Sequence, residues 1–152
     1  MAAAESGPVH LEMQASVHAT EELDKVRTAM MNLFPQAVRS SLVFNSTKLR
    51  GHYHNPIIRL ETQLRQRELI EQTLTSIGEQ LRSEDRVIVA RTFPSRVNKK
   101  GQIFLRLDKQ EAYQGRVRII NRGDSIRLVV RFSGRKPSLS DLENLCRKFK
   151  LL

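Results

Sequence analysis

The amino-acid sequence predicts an α+β domain in which helices pack on one face of an antiparallel or mixed sheet. Segments that alternate apolar and polar residues, the period of a half-buried strand, are interspersed with segments of helical period. Their order is strand, helix, two strands, helix, three strands and helix, without the regular strand-helix alternation of parallel sheets. With 152 residues, the chain is long enough for one hydrophobic core and about the size of one domain.

The first elements follow from local pattern and helix-ending residues. Residues 1–8 are small and polar and end in proline, so we expect a disordered leader. Residues 10–18 alternate in the manner of a strand. The apolar residues between Leu23 and Leu33 then keep helical spacing until Pro35, which predicts a helix that stops there.

A hairpin and a second helix are expected next. Residues 37–44 are apolar and β-branched, residues 51–56 are rich in turn formers, and residues 57–64 alternate again, which predicts two strands joined by a turn. Residues 66–82 have one apolar and one polar face, as expected of an amphipathic helix. Residues 84–94 suit either a buried strand or a helix, and the acidic start of the segment favours the helix.

Three strands are predicted in the basic C-terminal part. A turn at residues 96–101 leads to a strand at residues 102–107, followed by a turn or short helix. Strands at residues 116–120 and 125–132 flank a tight turn, so we expect these two strands to form a hairpin.

A final amphipathic helix is expected in residues 134–152. Ser140 and Glu143 have the spacing of a capping box, and apolar residues follow at helical spacing. We therefore predict one α+β domain over residues 9–133, with the C-terminal helix packed on it or extending it.

Basic residues are concentrated in the C-terminal part of the chain. The net charge is +10, but residues 1–90 contain ten basic and eleven acidic side chains, whereas residues 91–152 contain sixteen and five. Such segregation predicts one electropositive surface and a polyanionic partner.

The composition also indicates the cellular compartment in which the protein is expected. No apolar run approaches the ~18 residues that a membrane-spanning helix needs. The sequence has no secretory signal pattern, and its single cysteine, Cys146, cannot form an internal disulfide. We therefore expect no membrane association and a reducing, cytoplasmic location, with the oligomeric state left open.

Alternation in the last three predicted strands would place arginines together on the solvent face of the sheet. Guanidinium groups grip phosphate in a bidentate manner and also stack on bases, so this face is a candidate RNA-binding surface. A merely solvated sheet face is the alternative, which the scarcity of nearby acidic residues disfavours. The candidate phosphate contacts are Arg106, Arg116, Arg118, Arg127 and Arg131, joined by Lys99, Lys100 and Lys109.

The turn at residues 51–57 is a candidate for more selective contacts. His52 and Tyr53 could stack on an unpaired base, and Asn55 could read a base edge. A plain turn stabilised by the asparagine side chain is the alternative. A metal site is not expected, because no third ligand follows at a suitable spacing.

Polar residues at the end of the strand at residues 102–107 have two interpretations. Lys109 and Gln110 could contact RNA, or Asp108 could cap the following turn in a purely structural role. Catalysis by Asp108 and Glu111 would require more converging carboxylates than the sequence supplies here. We therefore expect no catalytic residues, no metal and no cofactor.

Three segments resemble one known protein family. The sequences TEELDKVRTA (residues 20–29), GHYHNPI (51–57) and RLDKQEAYQG (106–115) look like those of an archaeal family of predicted RNA-binding or exosome-associated proteins. The resemblance covers residues 9–133. It implies a non-catalytic RNA-binding domain with a fold similar to the large-subunit ribosomal protein that binds 5S RNA, and exosome or ribosome components as partners.

The sequence hypothesis is therefore a non-catalytic protein that recognises structured RNA, including ribosomal RNA, mainly through phosphates. One alternative is an assembly factor that docks on a ribonucleoprotein complex. A metal-dependent nuclease is the weaker alternative.

Overall fold

The computed structural model describes residues 7–50, 56–134 and 137–152. Its centre is one antiparallel sheet of five strands, in the order β2-β3-β1-β5-β4. The strands are β1 (Pro8–Val17), β2 (Phe44–Arg50), β3 (Pro56–Leu64), β4 (Ile103–Asp108) and β5 (Ser125–Phe132).

Six helices complete the described part of the chain, and none of them is long and apolar enough to cross a membrane. They are α1 (Leu23–Asn32), α2 (Gln36–Arg39), α3 (Arg67–Gln80), α4 (Ser83–Thr92), α5 (Lys109–Tyr113) and α6 (Leu139–Lys148). A single 3-10 turn at Phe93–Arg96 extends α4.

The hydrophobic core lies between one face of the sheet and the helices. Alternate residues of the central strand β1, among them Leu11 and Met13, are fully buried, and so are Ile70 and Leu74 of α3. The polar residues between them on β1 lie on the opposite, open face of the sheet. The predicted α+β class with an antiparallel sheet is confirmed.

The C-terminal residues join the same core. Leu142 and Cys146 of α6 are buried, and burial raises the pKa of the Cys146 thiol to about 12. The chain then passes so close to Gly78 that a Cβ atom there would lie 1.9 Å from the Phe149 carbonyl oxygen. Only glycine permits this approach, which brings Leu151 into the core.

The capping box of α6 lies two residues earlier than predicted. Ser138 accepts a hydrogen bond from the Asp141 backbone N–H at 3.1 Å, and the Asp141 carboxylate accepts one from the Ser138 N–H. The prediction of Ser140 and Glu143 was therefore wrong. Both pairs have the same spacing, and the local sequence does not distinguish them.

The strand predicted at residues 37–44 is wrong. The chain forms the short helix α2 there, with Val38 fully buried, and β2 begins only at Phe44. After Phe44 the side chains of β2, which is an edge strand, are exposed on both faces. Because its sequence is mostly polar, β2 lacks the alternation of apolar residues from which a strand is predicted.

The hairpin predicted from residues 116–120 and 125–132 is also wrong. β5 lies between β1 and β4, so the segment at residues 116–120 runs along the outer side of β4 instead. It makes one isolated bridge to β4, between Leu107 and Ile119. The Asp108 N–H of β4 donates to the Arg118 carbonyl, and the Ile120 N–H donates to the Arg106 carbonyl. The buried Asp85 carboxylate of α4 accepts a further bond from the Ile119 N–H at 3.0 Å.

Two further predictions concern segment limits. Residues 84–94 are helical, as the acidic start favoured. Of the leader predicted at residues 1–8, residues 1–6 lie outside the described part, whereas Pro8 belongs to β1 and Gly7 exchanges hydrogen bonds with Ser133.

Candidate nucleic-acid interface

The register of the sheet places two arginines side by side on the open face. Asn45, Glu61, Gln14, Arg127 and Arg106 form one cross-strand row that runs over all five strands. Arg127 of β5 and Arg106 of β4 are therefore direct neighbours, and both side chains are exposed. Like charges directly opposite each other destabilise a sheet, so this pair is not explained by stability.

Arg127 is held in position by an aromatic ring. Its guanidinium carbon lies 4.7 Å from the centroid of the Phe104 ring, within the range of a cation-π interaction. Among the described residues, no carboxylate forms an ion pair with Arg127 or Arg106. Their charges therefore remain available to a ligand.

Arg59 of β3 has an unsatisfied donor. Its Nε atom is buried and has no hydrogen-bond partner within the described ranges. A buried polar group without a partner costs roughly 1–3 kcal/mol of stability. An anion bound at this position would satisfy the donor.

Arg96, at the end of the 3-10 turn, was not among the predicted site residues. Its side chain donates to the Thr92 hydroxyl at 2.8 Å and to the Asn121 side-chain oxygen at 3.3 Å, both neutral partners. Burial, and then the positive charge of Arg106, lower the pKa of Arg96. No sequence periodicity predicts that Arg96 lies near Arg106, because their proximity depends on how α4 packs beside β4.

Two adjacent cavities share Arg106 and Arg127 in their walls. The first has a volume of about 290 Å³ and adds Arg96, Phe104 and Asn121. The second has a volume of about 330 Å³ and adds Arg59 and Ser125, together with the Asp124 carboxylate. We call the exposed or cavity-lining set the arginine surface, which consists of Arg59, Arg96, Arg106, Arg127 and Arg131.

The predicted grouping of five arginines on one sheet face is wrong for two of them. Arg116 and Arg118 lie in the segment outside β4 and form ion pairs. Arg116 Nε lies 2.5 Å from a Glu111 oxygen, and Arg118 Nε lies 3.0 Å from an oxygen of the buried Asp85. The hydrogen bond from Arg116 lowers the pKa of Glu111. The structure thus brings together Arg106, Arg127 and Arg131 and places the other two elsewhere.

Lys109 is buried inside the protein, contrary to its predicted position on an RNA-binding surface. Only 8% of its side chain is exposed. The ammonium group donates to the Ser16 carbonyl at 2.7 Å, to the Glu21 carboxylate at 3.2 Å and to the Asp124 carboxylate at 2.5 Å. These bonds use all three donors of the group.

The surroundings of Lys109 are also the one place in the described ranges where three metal-ligating side chains converge. The candidate ligand atoms of His18, Glu21 and Asp124 lie within 4.8 Å of one another. The Lys109 ammonium is bonded to both carboxylates and supplies the positive charge that a metal would bring.

Asp108 and Glu111 have structural partners. The Asp108 side chain accepts from the Glu111 backbone N–H at 3.1 Å and caps α5, and Glu111 pairs with Arg116. α5 packs on α1, and Gly115 follows with a positive φ of 80°. Much of the RLDKQEAYQG segment therefore has a role in folding.

The remaining predicted site residues do not join the arginine surface in the described contacts. Lys99 and Lys100 are exposed in a turn that the Asn98 side chain stabilises, and they have no ion-pair partner in the described part. Gln110 is exposed beside a separate cavity between α1 and α5. His52, Tyr53 and Asn55 lie outside the described residues. RNA contact by each of these residues stays a prediction.

Comparison with known proteins identifies the family. The chain is 28% identical over 123 residues to the RNA-binding protein PAB1135 of Pyrococcus abyssi, covering 80% of both chains. It is 29% identical over 125 residues to the uncharacterized protein MJ0213 of Methanocaldococcus jannaschii, covering 80% of this chain and 83% of that one.

Solved structures show the same fold. The crystal structure of protein AF2318 from Archaeoglobus fulgidus matches with a TM-score of 0.80 and 27% identity, over 93% of this chain and 99% of that one. Mth689 from Methanothermobacter thermautotrophicus, a DUF54 protein, matches with a TM-score of 0.72 and 26% identity, over 94% and 98%. Residues 10–132 match the family described as RNA binding, and the chain therefore belongs to this family of archaeal RNA-binding proteins.

Proposed function

We propose that this protein binds structured RNA mainly through phosphate groups, and that the arginine surface makes those contacts. The proposal rests on one observation. All five arginines of the surface lack a carboxylate ion-pair partner among the described residues, although four of them, all except Arg131, line two adjacent cavities. Membership of an RNA-binding family supports RNA as the polyanion.

The physical reason is the cost of unneutralised charge. Clustered guanidinium groups repel one another, and the repulsion falls when an anion binds between them. RNA phosphates fit this role because the planar fork of arginine donates two parallel hydrogen bonds to phosphate oxygens. Phosphate contacts also release condensed counterions, which adds a salt-dependent contribution to affinity.

On the helical side, the outer surface of α3 is acidic. It presents Glu68, Glu71 and Glu79 around a shallow depression, and Glu79 pairs with Lys150 at 3.6 Å. Acidic side chains repel phosphate, so RNA would approach from the open face of the sheet. The proposal therefore also predicts which face of the protein contacts RNA.

The experiment compares two double variants with the same change in net charge. Arg106→Gln with Arg127→Gln removes the central pair of the arginine surface, whereas Arg27→Gln with Arg147→Gln removes two exposed charges from α1 and α6. We expect the first variant to lose about tenfold or more in affinity for a labelled hairpin RNA, and the second to bind as the parent protein does. Equal affinity of both variants, measured by fluorescence anisotropy, would refute the proposal.

Catalysis is not part of the proposal, since Asp108 and Glu111 are engaged in a helix cap and an ion pair. Cytoplasmic exosome or ribosome components are proposed partners on the strength of the sequence resemblance alone. Co-purification of such components at high salt after RNA digestion would support direct protein contact. If no such component co-purified under these conditions, RNA would be what links this protein to those complexes.

A further inference from the structure

Arg127 lies over the Phe104 ring in the wall of the smaller cavity, and we call this pair the Phe104–Arg127 platform. The guanidinium lies over the ring at 4.7 Å, and both groups line the same recess of about 290 Å³. Bases of unpaired RNA stack on aromatic rings and on guanidinium planes in this way, and the interaction tolerates any base. The platform is therefore suited to a base and not only to a phosphate.

Polar groups above the platform could contact a base edge. Thr92, Ser95 and Asn121 line the recess. Arg96 donates to the Asn121 side-chain oxygen, which leaves the amide N–H groups of Asn121 as donors without a partner in the described ranges.

The larger cavity has the chemistry of a phosphate site. Arg59, Arg106 and Arg127 line it with the Ser125 hydroxyl, and the Arg59 Nε donor has no partner in the described part of the protein. The Asp124 carboxylate also lines this cavity, and it shares the ammonium group of Lys109 with the Glu21 carboxylate. An anion there meets three guanidinium groups and one partly neutralised carboxylate.

Resting on the proposed function, we infer that the two cavities together accept one unpaired nucleotide, with its base on the Phe104–Arg127 platform and its phosphate beside Arg59. Arg106 and Arg127 form the common wall, so the two parts of one nucleotide can occupy neighbouring recesses. A base inside a regular duplex is covered on both faces by its neighbours and cannot enter. The preferred RNA is thus a structured one that presents a bulged or looped base.

The test uses a blunt RNA duplex and the same duplex with one bulged adenosine at its centre. Fluorescence anisotropy at fixed salt should give about tenfold tighter binding to the bulged RNA, the scale of one stacked base. Phe104→Leu should abolish this preference, so that the variant binds the blunt and the bulged RNA with equal affinity. Phe104→Tyr should retain the preference, because the ring is kept.

A matched control separates stacking from charge. Arg131→Gln, on the same strand as Arg127 but outside both cavities, should weaken binding to both RNAs by the same factor. Thermal melting of each variant establishes that it is folded. If Phe104→Leu proves unfolded, UV crosslinking of the parent protein to a bulged 4-thiouridine, mapped by mass spectrometry, replaces it, and the crosslink should lie within the residues that line the smaller cavity.

The outcomes distinguish this inference from the proposed function. Equal affinity for both RNAs, a preference that survives in folded Phe104→Leu, or a crosslink elsewhere would overturn the nucleotide site. The proposed function would still stand if Arg106→Gln with Arg127→Gln weakened binding to both RNAs. Binding that does not depend on that pair would overturn both.

Discussion

The arginine surface and the Lys109 site differ in how their charges are compensated. Around Lys109, the ammonium group and the carboxylates of Glu21 and Asp124 satisfy one another, and the Ser16 carbonyl takes the remaining donor. On the arginine surface, Arg106 and Arg127 stand side by side without an acidic partner in the described part of the chain. The charges around Lys109 hold distant segments of the fold together, whereas the charges of the arginine surface remain available to a ligand.

The comparison shows that charge content alone does not identify an interface. The C-terminal part of the chain contains sixteen basic residues, yet Lys109, Arg116 and Arg118 are committed to internal partners. What distinguishes a binding surface is the absence of such partners combined with close spacing of like charges. Removing a charge from either group, or from an ion pair of the segment outside β4, tests this distinction.

The largest effect on stability is expected for Lys109→Met. This change leaves two carboxylates and the Ser16 carbonyl without their common donor, and removing one partner of a buried ion pair costs about 3–5 kcal/mol. We place the loss at about 3 kcal/mol, because the side chains of Glu21 and Asp124 keep partial access to water. Urea unfolding measures it. RNA affinity of the folded variant at low temperature should fall only slightly, because Asp124 at the edge of the larger cavity loses its ammonium partner. A loss as large as that of Arg106→Gln with Arg127→Gln would contradict the structural role.

Asp85→Ala should have the next largest effect. The buried Asp85 carboxylate accepts from the Ile119 N–H and from Arg118, both at 3.0 Å, and so fixes the segment outside β4. Its removal leaves the N–H unpaired, at a cost of about 2 kcal/mol in the free energy of unfolding. Hydrogen exchange at the Ile119 amide should also be faster in this variant than in the parent protein. Unchanged exchange would mean that the segment is held by other contacts.

The contribution of the arginine surface should be measurable in how RNA affinity depends on salt concentration. Each phosphate contact contributes roughly 0.7–0.9 to the slope of log affinity against log salt concentration. Arg106→Gln with Arg127→Gln should therefore reduce the slope by about 1.4–1.8, with little change in unfolding free energy. The control pair at Arg27 and Arg147 should keep the parent slope, and a loss of slope in the control would point to diffuse charge.

Arg116→Gln should have the smallest effect. Arg116 pairs with Glu111 at the surface, where water screens the ion pair and leaves it little effect on stability. We expect the urea midpoint of unfolding and the RNA affinity to be nearly unchanged. A clear loss of affinity would extend the interface to the segment outside β4.

Features that depend on local pattern could be predicted from the sequence. The alternation of β1, β3 and β5 follows directly from which residues are apolar, because one face of each strand is buried. The long helices α1 and α3 follow in the same way from their buried stripes. The polar edge strand β2 and the four-residue helix α2 lack such a stripe, and both were missed.

The composition of the site depends on contacts that local pattern does not contain. Alternation shows which residues share one side of a strand, but not which strands are neighbours, so Arg116 and Arg118 could not be separated from Arg106. Lys109 is buried through partners 88 and 93 residues earlier in the chain. Arg59 and Arg96 reach the arginine surface only through the strand order and the packing of α4.

The acidic outer side of α3, which lies opposite the open face of the sheet, has a kinetic consequence. Charges of opposite sign on two sides of a molecule turn it in the field of a polyanion before contact, so a larger share of encounters begins in a productive orientation. Replacing Glu68 and Glu71 by glutamine would weaken this steering without touching the arginine surface. The association rate would then lose part of its dependence on ionic strength, while the lifetime of the bound complex stayed the same.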